Sequence, residues 1–425
     1  MSNKNLTIAY IGLSHLGLIH AVVSALKGFK IIGYHHDRKV IERLQNQNTD
    51  IQEPGLHDLL LKYKNQLHFT NDLNEVSTSD LVFISYDIPT DKNGHSDLSI
   101  VKNAIKNILP IMSRDSTLVL LSQVPPGFTQ SLNISRINIY YQVETLIFGK
   151  AIERAAEPER LIVGSRSPNM PIVETYNRFL ACFDCPINIM SFESAELTKI
   201  SINLFLASAV TASNTLAEIS EKIGANWADI KPSLKLDKRI GEYSYISPGL
   251  GISGGNLERD LRSILELGKE NNTHCTFVES ILANSAHRKN WLIKTLKNLP
   301  YPEGKTTKIS ILGLAYKKNT DSIKNSPSLQ FMEHLEKYSV LAHDPVVKVK
   351  LPKFVSLKNT AIECIEGCDI LVIATPWEEY EKFHVSDLKH LMRGRTIIDP
   401  FSMINYDTKN KGDFDIYCLG TSTRI

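Results

Sequence analysis

The sequence predicts an α/β protein in which two parallel-sheet domains are joined by a central helical domain with one long spine helix. Three observations carry this expectation. Strand and helix patterns alternate through the first half of the chain. From Ser191 the pattern changes to helical apolar spacing without Pro or Gly, and strand–helix alternation returns after a linker containing both. The expected domains are residues 1–192, 193–298 and 299–425.

Each element follows from its local pattern. "LTIAYIG" is an apolar run ending in glycine, followed by a helix from about His15 to Lys27 and the strand "KIIGYH". Further strands are read at "DLVFISY" (80–86), "TLVLLSQ" (117–123), "INIYYQ" (137–142) and "RLIVGS" (160–165), giving a parallel, doubly wound sheet. The helix from Ser191 ends near Gly224 and spans roughly 45 Å at 1.5 Å per residue. Apolar residues on most of its faces require neighbours all round, so it is expected to be a spine between domains and a homodimer contact. A second mainly helical stretch runs from Leu257 to about Leu296, and "LPYPEGKTT" (299–307) reads as the linker. Beyond it, "KISILGL", "SVLAHD", "DILVIATP" and "TIIDP" read as strands of a second sheet.

Composition excludes several classes of function. With 425 residues, 42% hydrophobic and 22% charged, the chain is of ordinary globular make-up and long enough for two or three domains. A net charge of +2 with both signs mixed marks no nucleic-acid binder. The start lacks the apolar core of a signal peptide, and no apolar run is seen to approach the ~18–20 residues of a membrane span, so a cytoplasmic protein without a membrane partner is expected. The six cysteines are too sparse for a disulfide framework; "CFDC" (182–185) has neither a second pair nor zinc-type histidines, so its thiols read as loop or core residues and no metal is expected.

Two glycine-containing loops carry the chemistry. "IGLSHLG" lies at the first strand-to-helix turn, where a Rossmann-like sheet sets a dinucleotide's pyrophosphate on a helix N-terminus. Gly12 and Gly17 fit the G-x-G-x-x-G pattern, Ser14 replaces its middle glycine, and His15 and Leu16 complete the turn. The acid expected to bind the ribose at the end of the second strand is missing: His35 stands there, with Asp37 two residues on. His35, Arg38 and Lys39 could instead suit a 2′-phosphate, which keeps NADP open beside NAD. The second loop is "PGLGISGGNLERD" (248–260), whose glycines let backbone approach a ligand and present Asn256.

Across nearly its whole length the chain resembles the UDP-glucose/GDP-mannose dehydrogenases. The resemblance rests on "IQEPGL" (51–56), "SQVPPGFT" (122–129), "AELTKISINLFLA" (195–207), "DKRIG" (237–241), "GLAYKKNTDSIKNSP" (313–327) and "ATPWEEY" (374–380), in that order. It implies an N-terminal nicotinamide domain, a central dimerisation domain and a C-terminal nucleotide-sugar domain. It also implies that Lys199 and Asn203, four apart on one helix face, hold the oxyanion and an ordered water, and that Asp260 assists proton removal through that water. Lys317 and Arg239 would reach the nucleotide sugar, Arg239 across a dimer, with Gly249, Gly251 and Gly254 shaping the substrate loop. Lys324 would touch the dinucleotide in place of an arginine, keeping the charge but losing the planar guanidinium.

The departures from the family pattern cluster. Asn256 stands at the position of the family's nucleophilic cysteine, and an amide nitrogen cannot form a thiohemiacetal. Gln123 replaces a threonine. "YQVETLIFG" (141–149) keeps Glu144 but has Ile147 and Phe148 where the family has arginine and a second glutamate. The resemblance therefore implies an NAD-dependent oxidoreductase on a nucleotide-linked sugar, in polysaccharide or glycoconjugate precursor synthesis, that stops after one hydride transfer. Two alternatives stay open: a nucleotide-sugar-binding homologue without turnover, and full oxidation to the acid through an aldehyde hydrate.

Overall fold

The structure, a computed structural model, describes residues 6–89, 96–405 and 413–421. It divides into two compact units, Met1–Ile202 and Asn203–Ile425. The reading of the N-terminus as free of a leader falls in part on residues 1–5, outside the described residues.

In the first unit the strands are β1 (Thr7–Ile11), β2 (Lys30–Tyr34), β3 (Leu67–Thr70), β4 (Leu81–Ile84), β5 (Thr117–Leu120), β6 (Asn138–Gln142), β7 (Leu161–Ser165) and β8 (Ile187–Ser191). They form one sheet in the order β3-β2-β1-β4-β5-β6-β7-β8. β4 and β5 are buried along their whole length, which is why they read as unbroken apolar runs rather than alternating ones. Register sets Tyr34 beside Ile11 and Ile11 beside Ile84. The turns that leave β1, β2 and β4 therefore emerge together at the carboxyl ends, where an open α/β sheet binds its ligand.

One expectation for this sheet needs correction: it is not parallel throughout, because β7 runs antiparallel to β6. A parallel return needs a crossover that carries the chain back to the far end of the sheet. Residues 143–160 instead fold near the carboxyl end of β6, where the buried Glu53 takes the N–H groups of Gly149 (2.9 Å) and Ala151 (2.8 Å). Cys182 and Cys185 are half-buried against the core of this unit.

The long helix spans Phe192–Ile223, 32 residues and about 48 Å. Its length and composition also correct a second expectation. An 18-residue window within it has a mean hydropathy of 1.3, so this helix is long and apolar enough to cross a membrane. The sequence reading missed this because serines and threonines interrupt every apolar run. Inside a helix their hydroxyls bond the carbonyl four residues back, as Ser208 does to Leu204 and Ser213 to Ala209.

In the second unit, helices Trp227–Leu236, Asn256–Glu270, Thr276–Lys289 and Trp291–Lys297 precede a second sheet. Its strands are β9 (Lys308–Leu312), β10 (Ser339–His343), β11 (Val355–Leu357), β12 (Ile370–Ile373), β13 (Thr396–Ile398) and β14 (Asp415–Tyr417), all parallel, in the order β11-β10-β9-β12-β13-β14.

His20, on the buried face of the first helix (His15–Leu26), has no hydrogen-bond partner for its Nε2. Burial, and then the nearby His15, push its pKa down to about 4. An unfolded-state histidine takes its proton near 6.5, so between these values the unfolded chain binds more protons. This contribution to stability is intact above pH 6.5 and is lost as pH falls from about 6.5 to about 4, by on the order of 3 kcal/mol. Replacing His20 by Leu is expected to flatten that part of the stability profile, measured as the difference between variant and wild-type urea unfolding at pH 7 and pH 4.5. Parallel profiles would show that His20 is not held neutral.

Candidate active site

The first turn is built by close approach. A Cβ at position 17 would lie 1.8 Å from the Gly12 carbonyl oxygen, so only glycine lets the helix start this near the strand. The Gly12 N–H donates to the Tyr34 carbonyl at 3.0 Å, and Ser85 Oγ donates to the Gly12 carbonyl at 2.9 Å. Ser14 is the N-cap residue, but its hydroxyl does not bond the helix amides. It accepts the Asp87 N–H at 3.0 Å instead, and Asp87 Oδ2 accepts the Leu16 N–H at 3.1 Å. His15 Nε2 pairs with Glu53 Oε2 at 3.0 Å, and the His15 ring centroid is 4.3 Å from that of Phe148. Burial alone would raise the Glu53 carboxyl, but the bonds from His15, Gly149 and Ala151 hold it below the usual range.

His35 follows β2, and its Nδ1 accepts the Asp37 N–H at 3.1 Å while its ring stacks on His36. Burial, and next the neighbouring His36, push its pKa down, so the ring is neutral at pH 7. Asp37 is engaged as the N-cap of the helix Arg38–Gln45, accepting the Lys39 N–H at 2.8 Å. Arg38 pairs with Glu42 at 2.8 Å on the exposed surface. Gln123 lies three residues beyond β5, at the head of the Pro125–Thr129 turn. Glu196 of the long helix clamps that turn by accepting the N–H groups of Gly127 (2.6 Å) and Thr129 (2.8 Å).

The long helix carries Lys199 and, one turn later, Asn203. Lys199 Nζ donates to the Glu144 carbonyl at 2.5 Å. Burial raises the pKa of the Glu144 carboxyl, with the Lys199 charge opposing the rise. Asn203 Nδ2 donates to Asp260 Oδ2, and Arg259 Nε donates to Asp260 Oδ1 at 2.9 Å. Asp260 and Arg259 are both buried, so this charged pair sits away from water.

Asp260 lies on the helix Asn256–Glu270, whose first residue, Asn256, is exposed one turn above it on the same face. The loop before it is held at several points. The Gly249 N–H donates to Asn214 Oδ1 at 2.8 Å, and a Cβ on Gly251 would meet the Ser285 carbonyl at 2.6 Å. Gly254, at φ +76°, packs against the Tyr316 ring and donates its N–H to the Lys324 carbonyl at 3.0 Å. The Lys324 side chain lies along Gly255, and Lys317 Nζ sits 5.8 Å from the centre of the Tyr316 ring. Arg239 grips Asp237 through Nε (3.0 Å) and Nη2 (2.6 Å), and its side chain is 89% exposed.

In the second unit the structure joins Asn203 and Asp260 directly and sets Asn256 one turn before Asp260, whereas Arg239 stays on an open surface; Lys199 lies in the first unit, on Glu144. Sequence reasoning gave no role to Asp87, Glu53, Glu196 or Arg259. Glu53 and Glu196 fell inside quoted motifs, but nothing local shows that their partners lie 38 to 98 and 67 to 69 residues away.

Comparison with known proteins follows this geometry. Models of the UDP-glucose/GDP-mannose dehydrogenase family match in chain order: the NAD binding domain over residues 6–180, the central domain over 193–286 and the UDP binding domain over 310–406. The chain belongs to this family. Family members are NAD-dependent nucleotide-sugar dehydrogenases that act on CH–OH groups. The chain is 27% identical to UDP-glucose 6-dehydrogenase of Rickettsia conorii, over 98% of this chain and 100% of the relative. It is 28% identical to UDP-glucose 6-dehydrogenase TuaD of Bacillus subtilis, over 97% and 93%. Its fold is similar to that of a UDP-glucose dehydrogenase from Pyrobaculum islandicum (TM-score 0.85, 24% identity, 99% of each chain). A UDP-D-ManNAc dehydrogenase from Pyrococcus horikoshii is also similar (TM-score 0.84, 22% identity, 98% and 100%). The cofactor is NAD, and the turn is of the kind that holds it: the missing Cβ at Gly17 lets a 12-residue helix start against β1 with its N-terminus toward the pyrophosphate seat, where Asp87 Oδ2 now holds the Leu16 N–H. The family's UDP binding domain supplies the nucleotide-sugar site.

Proposed function

We propose that this family member oxidises one alcohol of a nucleotide-linked sugar to a carbonyl in a single hydride transfer and goes no further. The observation that carries the reading is Asn256 at the head of its helix, one turn above Asp260. The next cysteine in sequence, Cys275, cannot replace a nucleophile there. Its Sγ packs against Ile264 and Gly268 of the same helix. Ile264 alone is eight residues, or roughly 12 Å of helix, from Asn256.

The Gly12–Gly17 turn would hold NAD, which would supply the hydride acceptor for the carbinol carbon. Asp260, oriented by Asn203 and Arg259, accepts the alcohol proton through an ordered water, and the C–O bond becomes C=O. Lys199, anchored on the Glu144 carbonyl, stabilises the developing alkoxide. Asn256 hydrogen-bonds the sugar oxygen but forms no covalent bond to it. With no thiol to hold the carbonyl product, that product is released or reduced back. Lys317 and the loop Gly249–Gly254 contribute to holding the nucleotide sugar, Lys324 contributes to holding the dinucleotide, and the domain boundaries 1–192, 193–298 and 299–425 assign cofactor, dimer and nucleotide-sugar roles in turn. We place the protein in the cytoplasm, making precursors for polysaccharide or glycoconjugate.

The test supplies excess NAD and limiting nucleotide sugar, traps carbonyl with hydroxylamine and weighs the products by mass spectrometry. One reduced cofactor per sugar and an oxime are expected. Two reduced cofactors and an acid would replace this reading with oxidation through a hydrate. Tight nucleotide-sugar binding without turnover would replace it with a binding homologue.

We also propose a homodimer through the long helix. Phe205, Leu216, Ile219 and Ile223 are exposed, and at 100° per residue they fall on one face within an arc of about 60°. Arg239 would then reach the partner's nucleotide-sugar site, which accounts for its exposure here. Light scattering at micromolar concentration is expected to give a dimer, and Phe205→Asp to shift it to monomer. A wild-type monomer under those conditions would refute the interface.

A further inference from the structure

The Leu16 N–H belongs to the first turn of the helix His15–Leu26, among the donors that a helix leaves unpaired at its N-terminus. In a dinucleotide-binding turn these donors, with the helix dipole, take the pyrophosphate. In this chain the Leu16 donor is already taken, by Asp87 Oδ2 at 3.1 Å. The backbone that carries this carboxylate is held by its surroundings. The Asp87 N–H donates to Ser14 Oγ at 3.0 Å, which ties the loop after β4 to the turn. The preceding residue, Tyr86, is buried against Gly12, where an added Cβ would meet its ring at 2.7 Å. Ser122 Oγ holds the Tyr86 carbonyl at 2.8 Å. The same serine that replaces the middle glycine of the nucleotide pattern therefore positions an acid over the pyrophosphate seat.

We propose that Asp87 is an internal competitor for the pyrophosphate of NAD: its carboxylate holds an amide that the pyrophosphate requires, and the cofactor binds only by displacing it. This rests on the NAD binding domain and not on the number of hydride transfers. It sets the chain's affinity for cofactor through one acidic side chain on the loop after β4. An acid at a helix N-terminus also favours the helix itself, and that ordinary role makes a different prediction: its removal would lower thermal stability slightly and leave cofactor affinity alone.

The experiment titrates NAD, ADP-ribose and adenosine calorimetrically into the full-length wild type and the variants Asp87→Asn and Asp87→Ala, with thermal unfolding recorded for each. Asp87→Ala is expected to bind NAD and ADP-ribose about 10- to 100-fold more tightly, the factor carried by one charge-assisted hydrogen bond, and Asp87→Asn, which loses the charge but keeps an acceptor for the Leu16 N–H, more tightly by a smaller factor. Adenosine, which has no phosphate, should bind all three proteins equally. Asp87→Asn keeps the size and an acceptor oxygen, so it serves where the alanine variant fails to fold. Unchanged or weaker NAD binding by a folded variant would overturn the proposal. So would an equal gain for adenosine, since that would assign the effect to shape and not to charge.

Discussion

Asp260→Asn is expected to slow hydride transfer by about 10²- to 10⁴-fold, the range of a general-base contribution. The amide keeps the size of the carboxylate and loses its ability to take the alcohol proton. The change also removes the carboxylate charge that the buried Arg259 meets at 2.9 Å, which lowers stability. The rate is therefore to be read from single-turnover traces at low temperature, on protein shown to be folded by its circular dichroism. Affinity for NAD and for the nucleotide sugar should stay near wild type, because Asp260 acts on the proton and not on either nucleotide. A variant rate within about threefold of wild type would remove Asp260 from the mechanism, since that is less than 1 kcal/mol of barrier.

Lys199→Met is expected to lower kcat by about 10²- to 10³-fold, as loss of one preorganised oxyanion donor does. Nζ now bonds the Glu144 carbonyl, and its charge opposes the burial that raises the Glu144 carboxyl. Methionine fills the space of the alkyl stem but leaves the alkoxide and that carbonyl unmatched. The fall should appear in kcat with KM little changed, since the interaction grows only as negative charge develops on oxygen. A higher KM with unchanged kcat would make Lys199 a binding residue. Because the two groups act on one proton transfer, the double variant with Asp260→Asn should lose far less than the product of the single losses.

The central strands were legible because burial on both faces writes an unbroken apolar run, as in "LVFI" of β4 and "ILVI" of β12. The strands missed were β3, β8, β11 and β14, the two edges of each sheet. β8 has no buried residue, and β11 is largely exposed. An edge strand with solvent on one side and little core to touch carries no apolar signature in three to five residues. β7 itself was read, but its antiparallel direction was not, for a related reason: that direction goes with how the preceding 143–160 segment folds, and not with the strand's own sequence.

In the candidate site, Lys199, Asn203, Asp260 and Asn256 were reached through ordered motifs, and periodicity added only that neighbours four apart share a helix face. The partners that shape them were not reached. Arg259 reads as one more helix charge until its guanidinium is seen on Asp260. Asp87 reads as a loop acid until the register of β1 and β4 brings it over Leu16, 71 residues away in sequence. These are tertiary facts, set by which strand ends lie side by side.

An amide at position 256 also changes the oxidative chemistry open to the protein. A catalytic thiolate is the first group that peroxide or an alkylating agent finds, because its function requires a low pKa and exposure. Here the exposed position carries asparagine, while burial pushes the thiols of Cys364, Cys368 and Cys418 up to about 12. Such thiols are poor nucleophiles at neutral pH. On the proposed single-hydride reading, activity is expected to survive peroxide exposure that would silence a cysteine-dependent dehydrogenase.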